Sequence, residues 1–213
     1  AAALVAEVIV GQLARALGLR VPELALLELD EEIARNERHD EIVDLLRASV
    51  GTNFAMRYLP GAIAFDPGAM VTVDPAQAAR VVLFDAFVTN VDRTARNPNL
   101  LWSKGELCLI DHGAALYWHH DWDGGVTGAE RSFPLVRDHV LLSRAGALAE
   151  QGAEMMAELG DARLAAAIAA VPDVFLEPHD PETRRDGYLR WLSARRDAAA
   201  GFIEEAVRAR SGV

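Results

Sequence analysis

Two short apolar runs, Leu100-Leu101-Trp102 and Leu107-Cys108-Leu109-Ile110, stand on either side of Ser103-Lys104-Gly105-Glu106. Strand-forming runs joined by a short polar segment with a glycine at its centre specify a β-hairpin. With the turn centred on Lys104-Gly105, the register follows: Trp102 faces Leu107, Leu100 faces Leu109, and Pro98 faces Asp111. The hairpin therefore draws Asn97 and Asp111 to its open end. Asp92 lies on the polar loop Asn90 to Pro98 that feeds the same end.

This brings together two carboxylates and one amide oxygen. Such hard oxygen ligands suit Mg²⁺, with a phosphate completing its shell. Phosphoryl transfer calls for that set: a metal neutralises phosphate charge and a separate carboxylate orients the nucleophile. A carboxylate engaged by metal is a poor proton acceptor, so two distinct aspartates are expected. By itself an Asp-x4-Asn spacing is weak, since Asp and Asn commonly make turns. Followed by a hairpin that ends in Ile110-Asp111-His112-Gly113, it is specific.

Asp92-x4-Asn97 and Asp111-His112-Gly113 reproduce the order of the protein-kinase catalytic loop and metal-binding segment. Asn90-Val91-Asp92-Arg93 with Asn97, followed by Asn99-Leu100-Leu101, resembles the HipA-like kinases and, more distantly, the phosphatidylinositol 3/4-kinase-like group. The resemblance implies an α+β, protein-kinase-like two-lobe fold. Residues 1–60 would be the remnant of a truncated N-terminal lobe, and residues 61–213 a mostly helical C-terminal lobe containing the catalytic hairpin. It implies Asp92 as catalytic base and Asn97 and Asp111 as Mg²⁺ ligands. It also implies Glu7 as the partner of an ATP-binding lysine, and Met56, Arg57, Tyr58 and Leu59 as the hinge beside the adenine. His112 and Gly113 complete the nucleotide side, His112 as a structural neighbour of the metal aspartate. The implied partners are ATP and a phosphoacceptor, a protein Ser/Thr or a small-molecule hydroxyl. The family's usual histidine two positions after the base is Thr94 here, and no lysine or glycine-rich loop precedes Glu7. An upstream segment is expected to supply both.

The rest of the chain is read by periodicity. Leu4, Val5, Val8, Ile9, Leu13 and Leu17 recur at helical spacing and stop at Gly18. Leu24 to Leu29 reads as a strand, Asp30 to Asp44 as a polar stretch with helical spacing in places. Asn53 to Tyr58 is a second apolar run, closed by the turn Leu59-Pro60-Gly61. Residues 61–73 read as irregular. Asp74-Pro75 starts a helix that is apolar on most sides and so belongs in the core. Residues 116–134 read as a loop. Helical periodicity returns over Val136 to Glu150, Gly152 to Leu159, Asp161 to Val171 and Thr183 to Arg210.

Composition excludes several classes. The net charge of −11 argues against a nucleic-acid-binding surface, which calls for a basic patch. No apolar run reaches the length of a membrane span, and Ala1-Ala2-Ala3-Leu4 lacks the basic start of a signal peptide. The single cysteine, Cys108, rules out an internal disulfide, fits a cytoplasmic location and reads as a core residue. Lys104 is the one lysine among 21 basic residues. The run His119-His120-Asp121-Trp122-Asp123 lacks metal-ligand spacing, and Trp118 and Trp122 read as packing residues. Arg93 and Arg96 suit either phosphate or a nearby carboxylate. Arg184-Arg185 and Arg195-Arg196 read as a solvated helix face. An active kinase is thus expected, with a nucleotide-binding pseudokinase or a purely structural helical domain as the other classes.

Overall fold

The computed structural model describes residues 2–122, 124 and 127–212. The fold is α+β, with two small antiparallel sheets among many helices. It divides into two compact units, one of Ala1–Val21 with Leu59–Val213 and the other of Pro22–Tyr58. The larger unit opens with helix α1 (Ala2–Ala16), which buries Val5, Val8, Ile9 and Leu13. Two bonds close its end, Leu19 N–H to the Ala14 carbonyl (2.9 Å) and Gly18 N–H to that of Arg15 (3.0 Å). This closure needs a left-handed residue, and Gly18 supplies it at φ 73°.

In the smaller unit, β1 (Leu24–Leu29) pairs antiparallel with β2 (Gly51–Met56), Leu24 opposite Met56 and Leu29 opposite Gly51. The polar stretch between them holds a 3-10 turn (Glu31–Ala34) and α2 (Asp40–Ala48). The Asp30 side chain caps the turn by accepting from the Glu32 N–H at 2.8 Å.

The larger unit resumes with the short strand β3 (Ile63–Ala64), within a segment whose sequence reads as irregular. Two residues are too few to show alternation; β3 exists because it adds to the hairpin's edge. Helix α3 (Pro75–Phe87) follows, with Pro75 at its first position and the Asp74 carboxylate accepting from the Gln77 N–H at 2.8 Å. It buries Val81, Val82, Phe84 and Phe87, as its apolar faces require. The hairpin is β4 (Leu100–Ser103) and β5 (Glu106–Leu109), in the expected register of Leu100 opposite Leu109 and Trp102 opposite Leu107. Lys104 and Gly105 both have positive φ, 56° and 83°, the conformation that matches the twist of paired strands. Cys108 is fully buried, as expected of a core residue.

The C-terminal part is helical, with one correction. The segment read as a helix from Val136 to Glu150 is instead two 3-10 turns, Pro134–Asp138 and Leu142–Arg144, and α4 (Leu148–Glu158) begins only after them. The backbone between the turns is used elsewhere: Thr94 and His139 form a β-bridge, and the Val140 N–H bonds the Arg93 carbonyl at 3.1 Å. Those bonds cannot coexist with a continuous helix. Next come α5 (Asp161–Ala169), α6 (Asp173–Leu176), α7 (Pro181–Asp197) and α8 (Ala199–Ser211). The expected single helix from Thr183 to Arg210 breaks at Ala198. Helices α4 and α8 pack on α3, and α5 and α6 on α1.

The arginine pairs of α7 are not a solvated face. Arg184 and Arg195 are buried. Arg195 donates to the carbonyls of Ala86 (2.8 Å) and Phe87 (3.3 Å), which end α3, and to those of Ala129 (2.9 Å) and Arg131. A guanidinium from α7 thus satisfies carbonyls that the end of α3 leaves open. No described helix is long and apolar enough to cross a membrane.

Candidate active site

Helix α3 ends where the polar loop begins, and the loop folds back on the helix. The Asn90 N–H bonds the Asp85 carbonyl at 2.8 Å, and the Asn90 amide donates to Asp85 Oδ1 at 3.0 Å. Asn90 Oδ1 then accepts from the Asp92 N–H at 3.1 Å. Asp92 Oδ2 accepts from Asn97 Nδ2 at 2.6 Å and from Asn99 Nδ2 at 3.3 Å. Thr94 closes the loop through its backbone, donating to the carbonyls of Asp92 (2.9 Å) and Asn97 (3.1 Å). Because Asn97 uses its Nδ2 on Asp92, its Oδ1 faces the other way across the amide plane. Asn97 is exposed and Asp92 half-buried.

The hairpin ladder runs one pair beyond its named strands, the Ile110 N–H bonding the Asn99 carbonyl at 3.1 Å. It stops before Pro98 and Asp111. Asn99 and Asp111 both turn left-handed, φ 47° and 54°, and proline has no N–H to continue with. Asn97 therefore bonds Asp92, while Asp111 packs by Glu7 and Gly113. A β-carbon on Gly113 would lie 3.5 Å from Glu7 Oε1, 3.6 Å from Asp111 Oδ1 and 3.4 Å from the Ala3 β-carbon.

Glu7 projects from α1 into this region. Burial raises its pKa to about 7; the nearby Asp111 carboxylate also raises it, against the backbone N–H groups of His112 and Gly113. Its Oε2 is buried without a hydrogen-bond partner. A carboxylate in that position is short of positive charge.

The two halves of the site meet at Arg93. Its Nε donates to Asp85 Oδ2 at 2.5 Å, and both side chains are fully buried. Its Nη1 donates to the carbonyls of Asn99, Pro98 (3.5 Å) and Ile110 (3.4 Å), and its Nη2 to His112 Nδ1 at 3.4 Å. Asp85 also accepts from His139 Nε2 at 2.9 Å, since His139 Nδ1 is occupied by the Leu141 N–H at 3.0 Å. Burial alone would raise the pKa of Asp85. The Arg93 charge and the His139 bond outweigh it and bring it to about 2. His112 is completely buried, and burial with the Arg93 charge lowers its pKa to about 3, so the ring is neutral. With Nδ1 accepting, Nε2 carries the proton, and that atom has no partner.

Sequence reasoning left Arg93 between phosphate and carboxylate; the structure gives it to Asp85. Arg96 is exposed. Asp85 and His139 were missed. The signal was an aspartate on a helix otherwise apolar on its inner faces, since a buried charge needs a partner. Nothing in the sequence singles out His139, 54 residues away.

Met56 ends β2, and Arg57 pairs with Glu23 at 3.0 Å. Both belong to the smaller unit with Tyr58, which is 82% exposed; Leu59 begins the larger unit's second segment. Asp123, at the end of the histidine–tryptophan run, lies outside the described residues. The run itself packs. Trp118 stacks on Trp191 (4.8 Å between centroids) and Trp122 (5.4 Å), and His119 Nδ1 meets the Tyr188 hydroxyl at 3.1 Å. Among the described residues no group of three or more His, Cys, Asp or Glu could hold a metal ion. A cavity of about 330 Å³ opens beside Val91, walled by Thr89, Trp118, Phe133, Leu135 and Trp191.

A family model described as HipA-like kinase matches residues 1–127, more than half of the chain. No curated protein and no solved structure matches.

Proposed function

The chain belongs to the HipA-like kinase family, and we propose that it transfers the terminal phosphoryl group of ATP to a hydroxyl of a protein Ser/Thr or of a small molecule. In this reading residues 1–60 and 61–213 correspond to the two lobes of a protein-kinase-like fold. The observation that carries it is the Asp92–Asn97 bond of 2.6 Å, on a loop joined through Arg93 to the backbone beside Asp111.

Asp92 is the base. Its Oδ2 is held by two asparagine amides, which fix the carboxylate's direction. As the acceptor oxygen bonds to the γ-phosphorus, the bond from that phosphorus to the β–γ bridging oxygen breaks. ADP leaves and Asp92 takes the hydroxyl proton. Asn97 Oδ1 and the Asp111 carboxylate are hard oxygen donors and fit Mg²⁺ as two of its ligands, phosphate oxygens and water completing the shell. When bound, the ion would neutralise phosphate charge. Met56 to Leu59 serve as the adenine hinge, and His112 and Gly113 line the nucleotide side. The cavity beside Val91 adjoins the base in sequence and suits the acceptor.

Glu7 takes the place of the glutamate that pairs with the family's lysine. Lys104 sits in the hairpin turn, at the far end from Asn99 and Ile110, so a cation beside Glu7 is not Lys104. A second reading rests on Glu7 Oε2, buried without a hydrogen-bond partner: a pseudokinase that binds nucleotide without turnover. Thermal shift with Mg-ATP and a phosphotransfer assay separate the two. Asp111→Asn is expected to weaken the Mg-ATP shift, and Asp92→Asn to keep the shift and abolish transfer. A shift unaltered by Asp111→Asn sinks the metal assignment.

A further inference from the structure

We infer that Arg93, held by Asp85, is the positioning residue that sets the base loop and the metal segment at their working separation. This rests on the kinase reading above and gives a role to a residue whose partner the sequence left open between phosphate and carboxylate.

The geometry is that of a hub. One guanidinium spans three chain segments, α3, the residues after Asn97 and the residues around Asp111, at the point where the hairpin ladder makes its last bond, Ile110 N–H to the Asn99 carbonyl. Through Nε it is anchored on α3. Through Nη1 it reaches the carbonyls of Asn99 and Ile110, which closely follow Asn97 and directly precede Asp111. Through Nη2 it reaches His112, the residue after Asp111. Arg93 is itself the residue after Asp92, so its own backbone carries the base. A planar fork with donors in fixed directions transmits position in a way that a flexible ammonium does not.

The hub has a rigid foundation. Asp85 is fully buried and takes a second bond from His139 and a third from Asn90. Arg93, His139 and Asn90 all donate to it. The Thr94–His139 bridge and the Val140 N–H to Arg93 carbonyl bond tie Arg93 and the residue after it to the same segment. The Arg93 side chain is fully buried, so it touches neither nucleotide nor acceptor. It acts through Asp92, Asn97 and Asp111.

The test uses Arg93→Lys in the full chain, with folding checked by circular dichroism and thermal melting. The expected result is a folded protein whose kcat falls about 100-fold, the loss that ångström-scale misplacement brings. The Mg²⁺ concentration for half-maximal rate should rise, while KM for the acceptor changes little. On an Asp111→Asn background the same substitution should change the residual Mg-ATP shift less than it does in the wild type, because one of the groups it positions is already gone. A folded Arg93→Lys with wild-type kcat and Mg²⁺ dependence overturns the inference. The wild-type chain gives a second reading that needs no folded variant. The Arg93 Nε–H resonance should move on adding Mg²⁺ with nucleotide and stay put with nucleotide alone; a resonance indifferent to both overturns it. Failure of the kinase reading looks different, as a wild-type chain with neither transfer nor Mg-dependent nucleotide binding.

Discussion

Asp85 of α3 and Arg93 of the polar loop form an ion pair, Nε to Oδ2 at 2.5 Å, with both side chains fully out of solvent. Such a pair is costly to assemble, because two charges lose their water. It holds here because every face of the carboxylate is met by a donor: Arg93, His139 or Asn90. Its consequence is mechanical, since it joins the core helix to the loop that carries Asp92.

Removing one partner leaves the other charge buried and unpaired. Asp85→Ala should therefore lower stability by roughly 3–5 kcal/mol, measured by urea unfolding. The folded pKa of Asp85, about 2, lies below its unfolded value of 3.8. The pair's contribution is thus fully present above pH 3.8 and fades as pH falls through 2. Wild type should lose stability in that window, and Asp85→Ala should lose less.

Glu7 carries the opposite sign. Its folded pKa of about 7 lies above the unfolded 4.5, so the folded chain holds an extra proton between those values. Stability should fall as pH rises through that window. Glu7→Gln should flatten the fall and stabilise the chain by about 1–2 kcal/mol at alkaline pH, after discounting for partial exposure. Unfolding curves taken on both sides of the window decide it; equal slopes for the two proteins would refute the prediction.

Asp92 and Asp111 should separate cleanly. Asp111→Asn is expected to reduce the Mg²⁺-dependent part of the ATP thermal shift, and Asp92→Asn to leave it intact. Asn97→Ala should weaken both the Mg²⁺-dependent shift and transfer in part, because it removes the oxygen proposed for the metal and releases one of the two amides on Asp92.

Packing between α4 and α8 gives a test away from the site. A β-carbon on Gly152 would meet the Ile203 side chain at 2.7 and 2.9 Å. Gly152→Ala should cost about 1–3 kcal/mol through overpacking. Ile203→Val, which removes the nearer methyl, should recover part of that loss in the double variant, read as coupling in a melting-temperature cycle.

The hairpin, its register and the start of α3 were legible in the sequence because local chemistry decides them. Lys104-Gly105 sets the turn, alternation sets the pairing, and Asp74-Pro75 sets the cap. The register held as far as Asn99 and Ile110, but the expected pairing of Pro98 with Asp111 did not form, because Asn99 and Asp111 turn left-handed. Only the tertiary structure decided what those ends touch. Asp111 turns left-handed beside Glu7 from a helix a hundred residues earlier, and Arg93 turns inward to Asp85 and His139. The helical pattern from Val136 gave way for that reason: bonds to the Arg93 loop outweigh the helix propensity of the segment. Propensity and turn preference act over a few residues. A buried charge is satisfied by whichever donor the fold brings to it, and the spacing of residues along the chain does not name that donor.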